Sequence, residues 1–551
     1  MTAVQVDEAL PSQRSTWNHV LLLLAVSLVF EWAFVGTNLN LLDEGWPLYA
    51  AMQLHGGGTL YEDVFFVFPP GHLLMAWIAY GIDPPGVFVS RLLYAAFNLA
   101  LTVGLYFLGR RIMPARFALF GALLLAVAAE SAHQKQLLFG YRYLVISVFA
   151  LIAFARYLQT RDRRLLVTAG LFTGLALAFR LTPAFATACA IGVALIARHR
   201  DPRLWLRDGL LYGFGILIVT LPVLLWMLTQ TSPEVIIREV LIRPVAMTDR
   251  QSLAMPAWLW APEQWTRRYI HEWFVMLQFR AWTLLYLGYA VSLAWTWAQA
   301  WKNNRPFPKT LLLAVVVWGG VYYGRSFGRS DAPHLYSALP PICLLLAYLA
   351  WRLVGSRGGT TSRIPSSWRL PLAAVAIAGW VFLMGSDRIF ASGHLGREPM
   401  ASLRGRIGVK ADTGLLRVDE QIAQIQQLTR PQDTILDLSA SSLFYVLSDR
   451  LGPGSADIVM PGTFLDPAEE RAFIRRLEAA PPALVIFPGW IFDERKDRAV
   501  QRSSPLLWQW VKDRYTLIGP YERFVLMLPK ARVERLRATP QWNEPKGSPR
   551  R

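Results

Sequence analysis

Long apolar segments recur along the first 385 residues of the chain and limit the folds that it can adopt. A membrane-crossing helix needs roughly 20 consecutive apolar residues, and in lipid only helices and closed barrels satisfy every backbone hydrogen bond. With 54% apolar residues overall, this pattern predicts a polytopic α-helical membrane protein that contacts membrane lipids. We expect about eleven spans, near residues 17–36, 87–108, 117–132, 138–156, 165–180, 183–198, 209–229, 281–300, 310–324, 334–353 and 370–385.

The basic residues between these segments are distributed unevenly and indicate an orientation. Cytoplasmic loops of membrane proteins carry an excess of Lys and Arg. Alternate short loops hold 18 such residues, whereas the short loops between them hold 4. This predicts a protein of the plasma (inner) membrane with a cytoplasmic N-terminus and an extracytoplasmic C-terminal part. The net charge of +18 then needs no nucleic-acid partner to explain it.

The composition changes near residue 386 to that of a soluble α/β unit. Amphipathic helical patterns such as DPAEERAFIRRLEAA, which begins with an Asp cap, alternate with short apolar strands such as ALVIFPG. The alternation predicts a small, mostly parallel sheet with helices packed on it. No strand is followed by a Gly-rich phosphate fingerprint, so we expect no nucleotide site. The predicted organisation is a membrane domain over 1–385, an extracytoplasmic α/β domain over 386–530 and a basic, disordered tail over 531–551.

The segment between the first two predicted spans is rich in carboxylates and contains no Lys or Arg from residue 37 to residue 86. Its carboxylates are Asp43, Glu44, Glu62, Asp63 and Asp83. A carboxylate at a membrane face can accept the proton of an acceptor hydroxyl. For the Asp43-Glu44 pair the alternative is a helix N-cap, because Pro47 would stand in the first helical turn. For the neighbourhood of Tyr61 and Asp63 the alternative is a solvated turn.

Basic residues on the predicted outer face form the second group of candidates. The segment between the ninth and tenth spans contains Arg325, Arg329, Asp331 and His334. Arginine is well suited to bind a phosphate, although Asp331 could simply cap the helix that begins after it. Two more arginines, Arg142 and Arg180, stand near outer span ends. Charges at such depth are usually functional or paired, but an arginine near a span end can also extend to the interface.

Together these residues resemble the lipid-phosphate-dependent glycosyltransferases of the GT-C fold, above all the protein O-mannosyltransferases and the aminoarabinose transferases of lipid A. The resemblance rests on the Asp43-Glu44 pair after the first span and on the run through Gly58 and Tyr61 to Pro69-Pro70. The outward Arg/Asp/His segment and the external α/β domain agree with it in layout.

The resemblance implies transfer of a sugar from a polyprenyl phosphate to a glycan, lipid or protein acceptor outside the membrane. It makes Asp43 the general base, with Glu44 and Asp63 as further catalytic candidates, and Tyr61 a substrate-binding candidate. The chemistry requires no cofactor, although the acidic segment is compatible with a divalent cation.

One position departs from the family pattern. In the aminoarabinose transferases a Glu-Lys pair precedes the two prolines, where this chain has Val67-Phe68. Binding of the lipid phosphate would therefore fall to one of the arginines, namely Arg325, Arg329, Arg180 or Arg142. The departure argues against an aminoarabinose donor and leaves the sugar open.

Two other functions are compatible with a multi-span envelope protein. An O-antigen polymerase or ligase also uses outward arginines, but does not call for an acidic pair after the first span. A transporter of lipid-linked sugars usually carries ionisable residues at mid-membrane and often has repeats, whereas the candidate charges here lie at span ends and the sequence shows no internal repeat.

Overall fold

The computed structural model describes residues 13–128, 141–255, 267–354, 366–383, 397–410, 415–519 and 523–539. In chain order the first helices are α1 (Gln13–Val35), α2 (Gly45–His55), α3 (Gly71–Ile82), α4 (Val87–Gly109), α5 (Ala115–Val127), α6 (Val145–Thr160), α7 (Arg164–Phe179), α8 (Leu181–Arg198), α9 (Pro202–Gln230), α10 (Pro233–Ile237) and α11 (Arg243–Arg250). They are followed by α12 (Arg267–Lys302), α13 (Thr310–Gly324), α14 (Ala332–Tyr336), α15 (Leu339–Val354) and α16 (Ser366–Leu383).

The C-terminal part of the chain mixes strands and helices. Its strands are β1 (Arg397–Pro399), β2 (Gly408–Lys410), β3 (Ile435–Asp437), β4 (Leu484–Pro488), β5 (Tyr515–Ile518) and β6 (Phe524–Pro529). Its helices are α17 (Leu416–Leu428), α18 (Leu443–Ser448), α19 (Pro467–Ala479), α20 (Val500–Ser503), α21 (Pro505–Arg514) and α22 (Lys530–Arg537).

Seven helices of the described residues are long and apolar enough to cross a membrane. They are Gln13–Trp32, Val87–Gly109, Arg142–Thr160, Leu181–Arg198, Pro202–Gln230, Trp273–Lys302 and Thr310–Phe327. The remaining predicted spans overlap the shorter apolar helices α5, α7 and α15 and the helix α16. The prediction of a polytopic helical membrane protein is therefore confirmed. Helix α3, with 12 residues, would extend only about 18 Å, which is too short for a crossing.

The chain divides into two compact units that do not follow the sequence in two blocks. One unit, here called the helical unit, comprises residues 1–35, 91–224 and 253–393. The other, here called the mixed unit, comprises residues 36–90, 225–252 and 394–551. The boundary predicted at 385–386 lies outside the described residues. The acidic segment after α1 thus belongs to the same unit as the C-terminal sheet.

Close helix packing in the helical unit depends on small residues. Helix α7 approaches α9 at Gly170, where an added Cβ would lie 2.9 Å from the Cα of Gly215. Without a hydrophobic driving force between helices in lipid, such small residues let backbones approach and gain van der Waals contact. Helix α13 packs against α8, and α15 packs against α5.

The sheet of the mixed unit has the order β3-β4-β6-β5. Strands β3 and β4 are parallel, whereas β6 is antiparallel to both β4 and β5. The prediction of a mostly parallel sheet is therefore wrong. Only a short connection separates β5 from β6, so the two form a hairpin, since a parallel neighbour requires a crossover of about a dozen residues or more. The sequence analysis did not predict strand β5, because the strand begins at Tyr515, directly after the last residue of α21.

The helices of the mixed unit agree better with the sequence. The predicted Asp cap is confirmed, because the Asp466 carboxylate accepts hydrogen bonds from the backbone nitrogens of Ala468 and Glu469, at 2.7 and 3.0 Å. The start of the predicted disordered tail differs, since residues 530–537 form α22, which packs on β5 and β6 and buries Val533. The end of the predicted tail, residues 540–551, lies outside the described residues.

Candidate active site

The acidic pair stands at a point of close backbone approach within the mixed unit. Gly45, the first residue of α2, faces α18, and an added Cβ would lie 2.8 Å from the Cα of Leu443. The Leu443 backbone nitrogen donates to the Leu41 carbonyl oxygen at 3.0 Å. Only glycine fits here without a shift of the backbone, so this contact fixes the turn that precedes α2.

Residues 40–45, here called the acidic turn, are organised by Asn40. Its side-chain oxygen accepts from the backbone nitrogen of Asp43 at 2.9 Å, and its side-chain nitrogen donates to the Asp43 carboxylate at 2.8 Å. The Asn40 backbone nitrogen donates to Glu44 at 2.9 Å. Glu44 stands in the N-cap position of α2, but its side chain makes no cap hydrogen bond. Helix capping therefore does not account for Glu44, which is fully buried, whereas Asp43 keeps 8% of its surface exposed.

The second acidic element serves a turn. Tyr61 is buried with a positive φ of 69°, and its hydroxyl donates to the Phe68 carbonyl oxygen at 2.8 Å. The exposed Asp63 carboxylate accepts from the Thr59 backbone nitrogen at 3.1 Å. Its carbonyl oxygen accepts from the Ser455 nitrogen at 2.7 Å. The contacts of Asp63 agree with the alternative of a solvated turn. Tyr61 belongs to the same turn but is buried rather than solvated.

A buried carboxylate that the sequence analysis missed, that of Asp457, anchors α2 further along the helix. The Tyr49 hydroxyl donates to Asp457 at 2.5 Å, and the side-chain nitrogen of Gln53 donates to the same oxygen at 3.2 Å. The Gly452 backbone nitrogen in turn donates to the Tyr49 hydroxyl at 2.8 Å. Burial raises the pKa of Asp457 to about 7. No local pattern could have revealed the pair, because 408 positions separate Tyr49 from Asp457.

Two of the predicted arginines come together in the helical unit. Arg180 occupies the break between α7 and α8 with an extended backbone, and only 7% of its surface is exposed. It hydrogen-bonds the Tyr143 hydroxyl, which lies 2.9 Å from the Tyr322 hydroxyl. Arg325 donates to Tyr322 at 3.3 Å. We call these four residues the arginine–tyrosine cluster.

The arginine–tyrosine cluster concentrates positive charge at one end of apolar helices. The charges of Arg180 and Arg325 are close enough to repel each other. Two guanidinium groups beside two hydroxyls offer several hydrogen-bond donors to an anion, and guanidinium groups bind phosphate through strong, charge-assisted bonds. The two tyrosines were not among the sequence candidates, because aromatic residues are common throughout the spans.

Asp331 is the centre of a second group in the helical unit. Its carboxylate accepts from the backbone nitrogen of His334 at 3.1 Å and so caps α14, as the alternative for this residue predicted. It also pairs with Arg329 at 2.7 Å and with the His334 ring at 2.6 Å. Burial lowers the pKa of His334, the paired Asp331 carboxylate opposes this, and the charges of Arg325 and Arg329 add to the decrease. Burial opposes the shift of Asp331, but His334 and Arg329 together lower its pKa.

Arg142 has a different environment within the helical unit. It forms a buried salt bridge with Glu31 at 3.1 Å, and Asn98 donates to the same carboxylate at 2.6 Å. A buried arginine with such a partner has a structural reason for its position, since removing either partner would leave an uncompensated charge. Arg180 and Arg325 are therefore the better candidates for binding an anion.

The carboxylates of the acidic segment are compatible with a divalent cation, which would require several ligands to lie close together. Across the described ranges, no group of three or more His, Cys, Asp or Glu side chains is arranged to hold a metal ion.

Comparison with known proteins agrees with this arrangement of long apolar helices and a C-terminal sheet. The structure is similar to that of ArnT from Cupriavidus metallidurans bound to undecaprenyl phosphate, with a TM-score of 0.54, 16% identity and coverage of 94% of this chain and 98% of that one. It is also similar to the archaeal oligosaccharyltransferase AglB from Archaeoglobus fulgidus in complex with an inhibitory peptide and a dolichol-phosphate. That match has a TM-score of 0.50, 12% identity and coverage of 94% of this chain and 74% of that one. No curated protein sequence matches the chain.

The fold is that of the GT-C glycosyltransferases, and the long apolar helices are those of a membrane protein. The resemblance predicted from the sequence is thereby confirmed for the fold. Within the chain, residues 68–226 match the family described as dolichyl-phosphate-mannose-protein mannosyltransferase.

Proposed function

We propose that this protein transfers a sugar from a polyprenyl-phosphate donor to an acceptor hydroxyl at the outer face of the membrane. The observation that carries the proposal is the arginine–tyrosine cluster, which places paired guanidinium groups at the end of membrane-spanning helices in a chain of the GT-C fold. A donor that is already attached to a lipid would bring its phosphate to such a position. The solved ArnT and AglB structures contain undecaprenyl phosphate and a dolichol-phosphate, respectively.

The reaction is a displacement at the anomeric carbon of the sugar. The acceptor oxygen forms a bond to this carbon while the bond from the carbon to the phosphate oxygen breaks, and the phosphate leaves with the electron pair. Positive charge develops on the sugar ring, as in glycoside cleavage, and negative charge develops on the phosphate. Arg180 and Arg325 are assigned to stabilise that negative charge by preorganised electrostatic contacts.

The proton of the acceptor hydroxyl is assigned to the Asp43 carboxylate. A positioned general base typically accelerates such a step by about 10²–10⁴-fold. Asp43 has the properties that this role requires, because Asn40 fixes its carboxylate and part of its surface is exposed. Glu44, which is buried and bonded to the Asn40 backbone nitrogen, is assigned to position the turn.

The proposal also keeps the orientation derived from the basic loops, with a cytoplasmic N-terminus and the acidic turn outside. The acceptor class, whether protein, lipid or polysaccharide, is left open, as is the sugar.

The test is transfer of radiolabelled sugar in proteoliposomes that contain the purified chain and extracted membrane acceptors. A panel of undecaprenyl-phosphate hexoses and pentoses serves as donors. Wild type should transfer label from at least one donor. The Asp43→Asn variant should transfer it at no more than about one hundredth of the wild-type rate. The matched control is Asp83→Asn in the same acidic segment, because the Asp83 carboxylate pairs with Arg404 and Arg406. This variant should retain transfer.

Two outcomes would count against the proposal. Equal rates for wild type and Asp43→Asn would remove Asp43 from the reaction. Failure of the wild-type protein to transfer label from any donor, in a preparation that is monodisperse, would refute the glycosyltransferase function and favour transport.

A further inference from the structure

A large apolar cavity lies within the helical unit, away from the arginine–tyrosine cluster. It has a volume of about 1000 Å³ and is lined by α12, α13, α15 and α16. Ligand pockets in proteins typically measure about 300–1,000 Å³, so this cavity is large enough for a substantial apolar ligand. Most of its lining side chains are hydrophobic, among them Leu284, Leu312, Leu349 and Trp380.

The cavity follows α12 over much of the thickness of a bilayer. Its lining on this helix runs from Phe274 to Leu293, a distance of about 28 Å at 1.5 Å per residue. The hydrocarbon core of a membrane is about 30 Å thick. A ligand that fills the cavity would therefore have the length of an extended lipid chain.

One end of the cavity is cationic. Lys309 directly precedes α13 and Arg352 lies in the last turn of α15, and both side chains line the cavity. Burial lowers the pKa of Lys309, and the neighbouring charge of Arg352 lowers it further. In the described part of the chain, no carboxylate forms a salt bridge with either cation. Two neighbouring positive charges at the mouth of an apolar cavity are complementary to an anionic headgroup.

This cationic end is remote from the arginine–tyrosine cluster. Lys309 precedes the first residue of α13 and Arg325 follows its last. The 15 residues of the helix separate them by about 22 Å. A lipid whose phosphate lies at Lys309 and Arg352 is therefore held in the opposite leaflet from a donor whose phosphate lies at Arg325.

We propose that this cavity binds an anionic glycerophospholipid, with its acyl chains along α12 and its phosphate between Lys309 and Arg352. Basic pockets between membrane helices recognise anionic headgroups in this way. The bound lipid would fill the space between α12 and the pair α13 and α15, and so hold α12 in place. The inference does not depend on the proposed transferase function, because it concerns binding at a separate place.

The experiment is native mass spectrometry of the full chain after exchange into detergent with equal amounts of phosphatidylglycerol and phosphatidylcholine. Wild type should retain phosphatidylglycerol with at least a tenfold preference. The double variant Lys309→Gln/Arg352→Gln should lose that preference. The matched control Lys302→Gln/Arg305→Gln removes two exposed cations, at the end of α12 and shortly after it, that do not line the cavity. It should keep the preference.

A second variant tests the apolar part of the site without changing its charge. Gly288 lines the cavity, and an added Cβ there meets no atom within 4 Å. Gly288→Leu should therefore fill the cavity and reduce retention of phosphatidylglycerol several-fold. Since leucine favours a helix more than glycine does, the variant should remain folded and monodisperse.

Three results would overturn the proposal. The first is an unchanged preference in both the double variant and Gly288→Leu. The second is equal retention of phosphatidylcholine by wild type, which would indicate a cavity for acyl chains without headgroup recognition. The third is displacement of phosphatidylglycerol by an equimolar amount of undecaprenyl phosphate, which would make the cavity a polyprenyl site.

Discussion

Asp457 has an asymmetric environment, in which one carboxylate oxygen takes all the hydrogen bonds. Tyr49, Gln53 and the Gly454 backbone nitrogen donate to Oδ2. The other oxygen, Oδ1, is buried and has no hydrogen-bond partner in the described residues. Burial of the carboxylate favours the neutral acid and outweighs the donors on Oδ2, which by themselves favour the charged form.

The stability of the mixed unit should therefore fall as the pH rises toward neutrality. The pKa of Asp457 is about 7 in the folded protein, against about 4 for an unfolded aspartate. The contribution of Asp457 to stability is fully present below about pH 4 and is lost as the pH rises through about 7. Asp457→Asn, which resembles the protonated acid, should show a smaller decrease in Tm between pH 5 and pH 8 than wild type. Parallel Tm profiles of the two detergent-solubilised proteins would contradict this assignment.

The two arginines of the outward segment should differ in their importance for transfer. Arg325 reaches Tyr322 in the arginine–tyrosine cluster, whereas Arg329 is paired with Asp331 at 2.7 Å. On the proposed function, Arg325→Gln should lower kcat by about 10²-fold, the usual effect of removing one stabilising group from a developing anion. Arg329→Gln should have a smaller effect. The measurement is kcat of both variants with a single polyprenyl-phosphate donor. A larger loss of kcat in Arg329→Gln would assign stabilisation of the leaving phosphate to Arg329 instead.

At the scale of elements, the packing of α2 on α18 leaves no space for a side chain at Gly45. Gly45→Ala should force the two helices apart and lower the stability of the mixed unit by about 1–3 kcal/mol, as overpacking does elsewhere. It should also lower transfer, because the acidic turn precedes this position directly. Chemical unfolding followed by tryptophan fluorescence measures the first effect.

Gly213→Ala is the control for this substitution. Gly213 lies inside α9, where an added Cβ meets no atom within 4 Å, and alanine is the better helix former. This variant should be as stable as wild type or slightly more stable. If both alanine variants behave alike, the close approach at Gly45 is not what fixes the acidic turn.

The elements also show which parts of the structure could be predicted from sequence. Apolar length predicted all seven long apolar helices of the described residues, and the Asp466 cap was recognised from its local sequence. Both features depend on residues that are close in sequence. The sheet was predicted with the wrong strand directions because pairing depends on connections between distant segments. Asp43 was identified from the Asp-Glu pair that follows the first span. Tyr49 and Tyr143 were not candidates, because nothing in the local sequence distinguishes them from the many other aromatic residues of the chain.

At the scale of the whole molecule, the mixed unit is assembled from three separate stretches of the sequence. Composition suggested a membrane domain followed by an extracytoplasmic α/β domain. The stretch 36–90 instead takes its buried partners from the C-terminal part, through Leu443, Ser455 and Asp457. The C-terminal part is therefore required for the structure of the acidic turn, beyond any role in binding an acceptor.

A chain that ends at residue 396 should consequently lose transfer completely, and its 36–90 segment should become sensitive to protease. Limited proteolysis of membranes, with cleavage sites identified by mass spectrometry, measures the second effect. Full-length protein in the same membranes is the control. A truncated chain that retains more than half of the wild-type rate would show that the acidic turn forms without its C-terminal partners.

The distance of 408 positions between Tyr49 and Asp457 also sets a delay during synthesis. At about 5–20 residues per second, a ribosome releases Asp457 about 20–80 s after Tyr49. For that interval the acidic turn has been made but lacks the buried partners that fix it. A nascent chain therefore cannot complete this turn until all but its last 94 residues have been made, and chains from translation interrupted before Asp457 would be left without it.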